Sequence, residues 1–324
     1  MEILTNPAIL FFVFGLVAGA LRSDLEIPGA IAKFLSLYLL MALGLKGGFA
    51  LEHSGLNFGV TVTLLAAMLM ALVVPTLGYL FLKTQVSRLD AAAVAASYGS
   101  VSAVTFLTAM QYLEVQQMPA SPHMSAALVL MESPAVFMAV LLANAQRRST
   151  LKSAGQPPIA AMSLGQLLHE AFTHGSNLLL LGAMVIGYVT GSRGASLMQP
   201  FSSDLFSGML AFFLLDMGLA VARNFSQVRS KSPILLAYAV AGPLVHAALA
   251  LALSVLLHFS VPDAAMLMVL SASASYIVVP AVLRHAIPEA NPSLYLGLSL
   301  GVTFPLNILF GIPLYTAVAG RVLG

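Results

Sequence analysis

The sequence predicts an all-α polytopic membrane protein, with ten transmembrane helices in two inverted five-helix repeats and two crossing discontinuous helices. Three observations carry this. Hydrophobic residues make up 59% of the 324 positions and charged residues only 8%, where a soluble domain carries about 25% charged residues to cover its surface. Apolar runs recur at a length of roughly 20 residues, enough to span ~30 Å of hydrocarbon at ~1.5 Å per residue. Motifs of the first half return, in the same order, in the second half.

The hydrophobic segments lie at 7–21, 28–45, 57–82, 89–114, 122–144, 175–192, 201–222, 233–257, 262–286 and 291–319. Their runs are continuous, whereas a barrel strand alternates, which excludes a β-barrel. The start, MEILTNPAILFFVFG, has no basic region before its apolar run and carries Glu2, so it reads as a retained first span rather than a cleaved signal peptide. The longest polar interruption, AQRRSTLKSAGQPPIAAMS at 145–163, has the basic and Pro/Gly content of a cytoplasmic linker. It leads into SLGQLLHEAFTH, where Leu164, Leu167, Leu168 and Phe172 fall at helical spacing, the pattern of a short interfacial helix. The expected organisation is a first repeat over 1–144, a linker over 145–174 and a second repeat over 175–324.

Lys and Arg set the expected orientation. With the amino terminus outside, the cytoplasmic connections hold Arg22, Lys33, Lys83, Arg88, Arg147, Arg148, Lys152, Arg223, Arg229, Lys231 and Arg284, and the opposite side only Lys46, Arg193 and Arg321. This is a strong positive-inside bias, and it puts both termini on the outer face of a plasma or bacterial inner membrane. The net charge of +2 gives no reason to expect nucleic acid as a partner. With no cysteine, disulfides and thiolate metal sites are excluded.

The repeat is read from paired motifs. MALGLKGGFAL (41–51) pairs with LLDMGLAVARN (214–224), Pro75 with Pro243, AASYGSVSAVTF (95–106) with SASASYIVVPAV (271–282), and MESPAVF (131–137) with VTFPLNI (302–308). Each half holds five spans, an odd number, so the second inserts upside down relative to the first. That is the plan of many secondary transporters.

Ser97-Tyr98-Gly99-Ser100-Val101-Ser102 and Ser271-Ala272-Ser273-Ala274-Ser275-Tyr276 each sit mid-way along an apolar segment. Gly and Ser there weaken the helix and free backbone groups that hydrocarbon cannot satisfy. One such cluster is as well explained by close helix packing. Two at equivalent repeat positions favour broken helices crossing at the midplane, whose exposed N-termini suit a small anion. Glu132 and Asp216 lie inside apolar segments, where acids are costly and usually functional. Glu132, Thr105, Ser273, Thr303 and Asn307 offer hard oxygen ligands suited to Na⁺ near unwound backbone. His169 and His174 in HEAFTH are five apart and point to different faces, so no zinc site is read there. His246 and His258 read as packed or interfacial. A compact anion, a small organic anion, a Na⁺/H⁺ exchange cargo, or a sensor or scaffold for a soluble partner all remain open at this level.

The stretch SASASYIVVPAVLRHAIPEANPSLYLGLSLGVTFPLNILFGIPLY (271–315) closely resembles the sodium-dependent bicarbonate transporter family, as do LEIPGAIAKFLSLYLLMALGLKGG (25–48), the Gly/Ser break at 98–102 and MESPAVFMAVLLAN (131–144). The resemblance implies a ten-span inverted-repeat fold with a scaffold and a core domain, assembly as a homotrimer, and Na⁺-driven bicarbonate uptake, with Na⁺ the co-transported ion and no enzymatic step. It puts the anion at Gly99, Ser100, Val101, Ser102, Ala274 and Ser275, and cations at Thr105, Glu132, Ser273, Thr303 and Asn307. A soluble PII-like regulator at the cytoplasmic face is a further implied partner.

Overall fold

The computed structural model describes residues 7–55, 58–154, 175–229, 232–276 and 278–324. Among these the chain is helical and contains no strand. The expected interfacial helix at 164–172 and the His169–His174 pair lie outside the described residues.

The helices follow the apolar runs. They are α1 (Pro7–Ala20), α2 (Gly29–Ser54), α3 (Phe58–Leu82), α4 (Arg88–Gly99), α5 (Ala103–Val115), α6 (Met124–Ala154) and α7 (Gly175–Gln199). After them come α8 (Phe206–Arg229), α9 (Pro233–Leu256), α10 (Val261–Ala272), α11 (Val278–Ala286) and an irregular α12 (Pro292–Leu323). Six described stretches are long and apolar enough to cross a membrane: Gly29–His53, Phe58–Leu82, Arg88–Val115, Leu178–Arg223, Pro233–Leu256 and Pro292–Leu323. Leu178–Arg223 holds both α7 and α8, and α1 and α10 are shorter apolar helices. α6 runs past residue 144 into the basic stretch expected to be linker. No Gly or Pro follows Pro134 until Gly155, and Ala, Gln, Arg, Lys and Leu all sustain a helix whatever its polarity.

Two groups of helices pack differently. In the first, α1 lies along α8 and α2 along α7, and the contacts are made by glycine. A β-carbon on Gly15 would stand 3.1 Å from Gly218 Cα, and one on Gly187 would stand 3.1 Å from Gly48 Cα. Each would also run into a carbonyl oxygen, of Leu215 and of Leu45. Membrane helices lack a hydrophobic drive toward one another, so they gain by bringing backbones close through small residues. In the second group α3 packs on α4 and α6, and α9 packs on α10. Here α12 is interrupted by π-turns at Ser299–Thr303 and Asn307–Gly311. Pro305 and Pro313 sit in this stretch and cannot donate to a regular ladder.

Candidate functional site

The site is built where α4–α5 and α10–α11 are broken. α4 starts in a capping box: Ser87 Oγ accepts from the Asp90 N–H at 3.0 Å and donates to Asp90 Oδ2 at 2.7 Å. Its small residues Ala91–Ala96 are all buried, which lets a helix sit among other helices. It ends at Gly99, where a β-carbon would stand 2.5 Å from the Pro75 ring. Ser100 is extended (φ −93°, ψ 178°), and Ser102 restarts the chain as the N-cap of α5, accepting from the Thr105 N–H at 3.2 Å. The second break follows the same plan. Ser260 Oγ accepts from the Asp263 N–H at 3.3 Å and donates to Asp263 Oδ2 at 2.9 Å. α10 ends at Ala272, Ser273 is extended (φ −80°, ψ 167°), and α11 begins at Val278.

The two breaks bond directly to each other. The Ser102 N–H donates to Ser273 Oγ at 3.0 Å, and the Ser275 N–H donates to the Ser97 carbonyl at 2.7 Å. Ser273 Oγ in turn donates to the Leu270 carbonyl at 2.8 Å. The Ser102 and Ser275 N–H groups, freed by the missing turns, are thereby satisfied inside the protein, as a low-dielectric interior requires.

Beside the crossing lies a cavity of about 30 Å³, on the order of two water molecules at ~10–15 Å³ each. Val101, Ser102 and Ser275 line it, with Glu132 from α6. The opposite wall comes from the glycine-packed group: Ser36, Leu39 and Leu40 of α2, Leu180 of α7 and Phe213 of α8. The cavity therefore sits on the seam between the two groups. Glu132 is only 5% exposed.

The other sequence-selected residues lie around this point in distinct roles. Gly99 is pressed on Pro75, Ala274 is buried in the packed core, and Ser100 is 1% exposed with a hydroxyl that has no hydrogen-bond partner. Thr105 Oγ1 is likewise buried without a partner, as are Ser97 Oγ and Ser271 Oγ. Thr303 and Asn307 are engaged. Thr303 Oγ1 donates to the Ala239 carbonyl at 2.7 Å, so the 2.6 Å contact with Tyr98 is a phenol donating to that same oxygen. Asn307 Nδ2 donates to the Ala272 carbonyl at the end of α10 (2.8 Å), and Asn307 Oδ1 accepts from Tyr315 at 3.0 Å. No group of three or more His, Asp or Glu gathers among the described residues.

Sequence reasoning passed over Ser36 and placed Tyr276 in the second break without a role, though both line the cavity, and it missed both capping boxes. A Ser-x-x-Asp signature before an apolar run marks such a cap and stands in the sequence at 87–90 and 260–263.

Apolar helices with two serine-rich breaks meeting beside a buried carboxyl define a membrane-embedded protein of the transporter kind. Residues 7–320 match the Na⁺-dependent bicarbonate transporter superfamily, and the chain belongs to that family. No curated protein matches the sequence.

Proposed function

We propose that the protein is a Na⁺-coupled symporter importing bicarbonate by alternating access around the cavity at the crossing. The observation that carries this is a cavity in which Ser102, Ser275 and a buried Glu132 converge, in a chain of the Na⁺-dependent bicarbonate family. The first N–H groups of α5, at Ala103 and Val104, have no intrahelical acceptor, and both residues line the cavity. With the positive end of the α5 dipole they suit an anion. Glu132 and the unpartnered Thr105 hydroxyl supply oxygen for Na⁺, with Ser273, which accepts from the Ser102 N–H, as a further ligand. The cation offsets the anion's charge, which couples the two fluxes. Thr303 and Asn307, with hydroxyl and amide already bonded, hold the far side of the cation region. The space of about 30 Å³ favours a compact anion over a bulky one.

The ten-span inverted repeat (1–144 and 175–324, joined by the linker 145–174) is part of this reading. Supporting it, α1 pairs with α8 as α7 pairs with α2, and α3 packs on α4 as α9 packs on α10. The Gly15–Gly218 contact has its mate in Gly187–Gly48. Ser87 and Asp90 have mates in Ser260 and Asp263, each 173 positions on. That spacing makes Ser271 the counterpart of Tyr98, where the motif pairing 95–106 with 271–282 implies Ala274. Outer termini, a bacterial inner-membrane location, a homotrimer and a PII-like regulator facing the basic stretch from Arg147 belong to the same reading.

Uptake of labelled bicarbonate into proteoliposomes tests it. Uptake should follow an inward Na⁺ gradient and vanish when K⁺ replaces Na⁺; equal uptake in both sinks the coupling. Competition by a small organic anion with no bicarbonate flux would reassign the cargo. Absence of any flux would favour a sensor or scaffold.

A further inference from the structure

The carboxylates of the two capping boxes do more than cap. Asp263 Oδ1 accepts from the Ser121 main-chain N–H at 2.7 Å and Asp263 Oδ2 from Ser121 Oγ at 2.7 Å. Asp90 Oδ1 accepts from the Asn291 main-chain N–H at 2.7 Å. Ser121 and Asn291 each precede a proline, at Pro122 and Pro292, and stand at the head of α6 and of α12. The two contacts lie at opposite ends of α3. Asp263 shares a cleft with Phe58 and Val60 at its start, and the turn at its other end leads into Ser87 and Asp90. Each contact also joins the two halves of the chain: an acid of one half holds the start of a helix in the other.

From each acid the same length of helix leads to the crossing. Asp90 to Ser100 and Asp263 to Ser273 are about 15 Å at ~1.5 Å per residue. Ser121 to Glu132 covers a similar distance along α6. We infer that Asp90 and Asp263 are positioning residues that set the axial register of the crossing: Asp263 fixes Glu132 against the second break, and Asp90 fixes Thr303 against the first. The inference rests on the symport reading for its transport consequence, though not for its structural one. A residue before proline is restricted to extended backbone, so each N–H is held ready for its acid. A carboxylate accepting several donors holds them more strongly than a neutral group does.

Two measurements test it. In proteoliposomes, half-saturating Na⁺ should rise about threefold for Asp263→Asn and about tenfold for Asp263→Ala, the scale of one weakened and one lost charged hydrogen bond. Maximal rate should stay within about twofold, since the cation site is displaced and not dismantled. A fall in maximal rate alone, or wild-type Na⁺ saturation in Asp263→Asn, overturns the assignment. Hydrogen exchange of peptides covering 97–105 and 271–279 gives a readout that needs no transport. Exchange there should quicken in both variants, and unchanged exchange sinks the latch whatever the flux. Quickened exchange with no Na⁺ dependence in the wild type would instead retire the symport reading and leave the latch standing.

Discussion

The glycine-packed group and the broken-helix group solve one problem in opposite ways. Helices in a bilayer gain nothing from hiding apolar surface from one another, since lipid is equally apolar. Along α1–α8 and α2–α7 the answer is contact at Gly15, Gly218, Gly48 and Gly187 so close that no β-carbon fits. Around the crossing the answer is a set of bonds from freed backbone to serine and asparagine side chains. The first arrangement tolerates no atom added at those contacts, and the second tolerates no lost hydrogen-bond partner. The cavity forms where the two meet, so one wall is apolar apart from Ser36 and the other carries hydroxyls and a carboxyl.

The largest effect should come from breaking the glycine contacts. Gly48→Val puts a β-carbon 2.9 Å from Gly187 Cα, and overpacking against backbone should cost about 3 kcal/mol or more. Loss of folded protein in a detergent melt would report it. Gly182→Ala in the same group, with nothing within 4 Å of its would-be β-carbon, should be close to neutral. If both variants melt alike, backbone contact is not what holds the group together.

On the polar wall, Glu132→Gln should raise half-saturating Na⁺ at least about tenfold, the scale of losing one charged ligand, with little change in melting. Unchanged Na⁺ saturation would remove Glu132 from the cation site. Tyr98→Phe deletes the donor to Thr303 Oγ1 and should cost about 1 kcal/mol of stability without moving Na⁺ saturation. A large Na⁺ shift there would make Thr303 a ligand in its own right. The smallest effect is expected at the seam's edge. Lys46 and Glu114 are 3.8 Å apart with side chains 30% and 49% exposed, so Glu114→Gln should change stability by less than about 1 kcal/mol. A larger change would mean that charge, besides packing, joins the two groups.

The helices and both breaks were legible because the bilayer imposes a length, and because close packing explains one Gly/Ser cluster but not two at equivalent repeat positions. Ser102 and Ser275 could be picked out on that basis, Glu132 as an acid inside an apolar run and Val101 through the family resemblance, and all four line one cavity. α6 continues beyond the apolar run that ends at 144, because polarity stops an apolar run without stopping a helix. The engagement of Thr303 was out of reach, since its partners Ala239 and Tyr98 lie 64 and 205 positions away. The Ser36 and Phe213 wall comes from helices whose placement is a matter of tertiary packing. The capping boxes, by contrast, stood in plain view as Ser-x-x-Asp.

Those caps carry a consequence for how the chain can vary. The far partner of Asp90 is a main-chain N–H, which every residue except proline supplies. Position 291 can therefore change its side chain without disturbing the bond, while position 90 cannot lose its acid. A contact of this kind leaves no pair of residues that must change together. Two helices from opposite halves are held in register by a bond that pairwise comparison of sequences would not register.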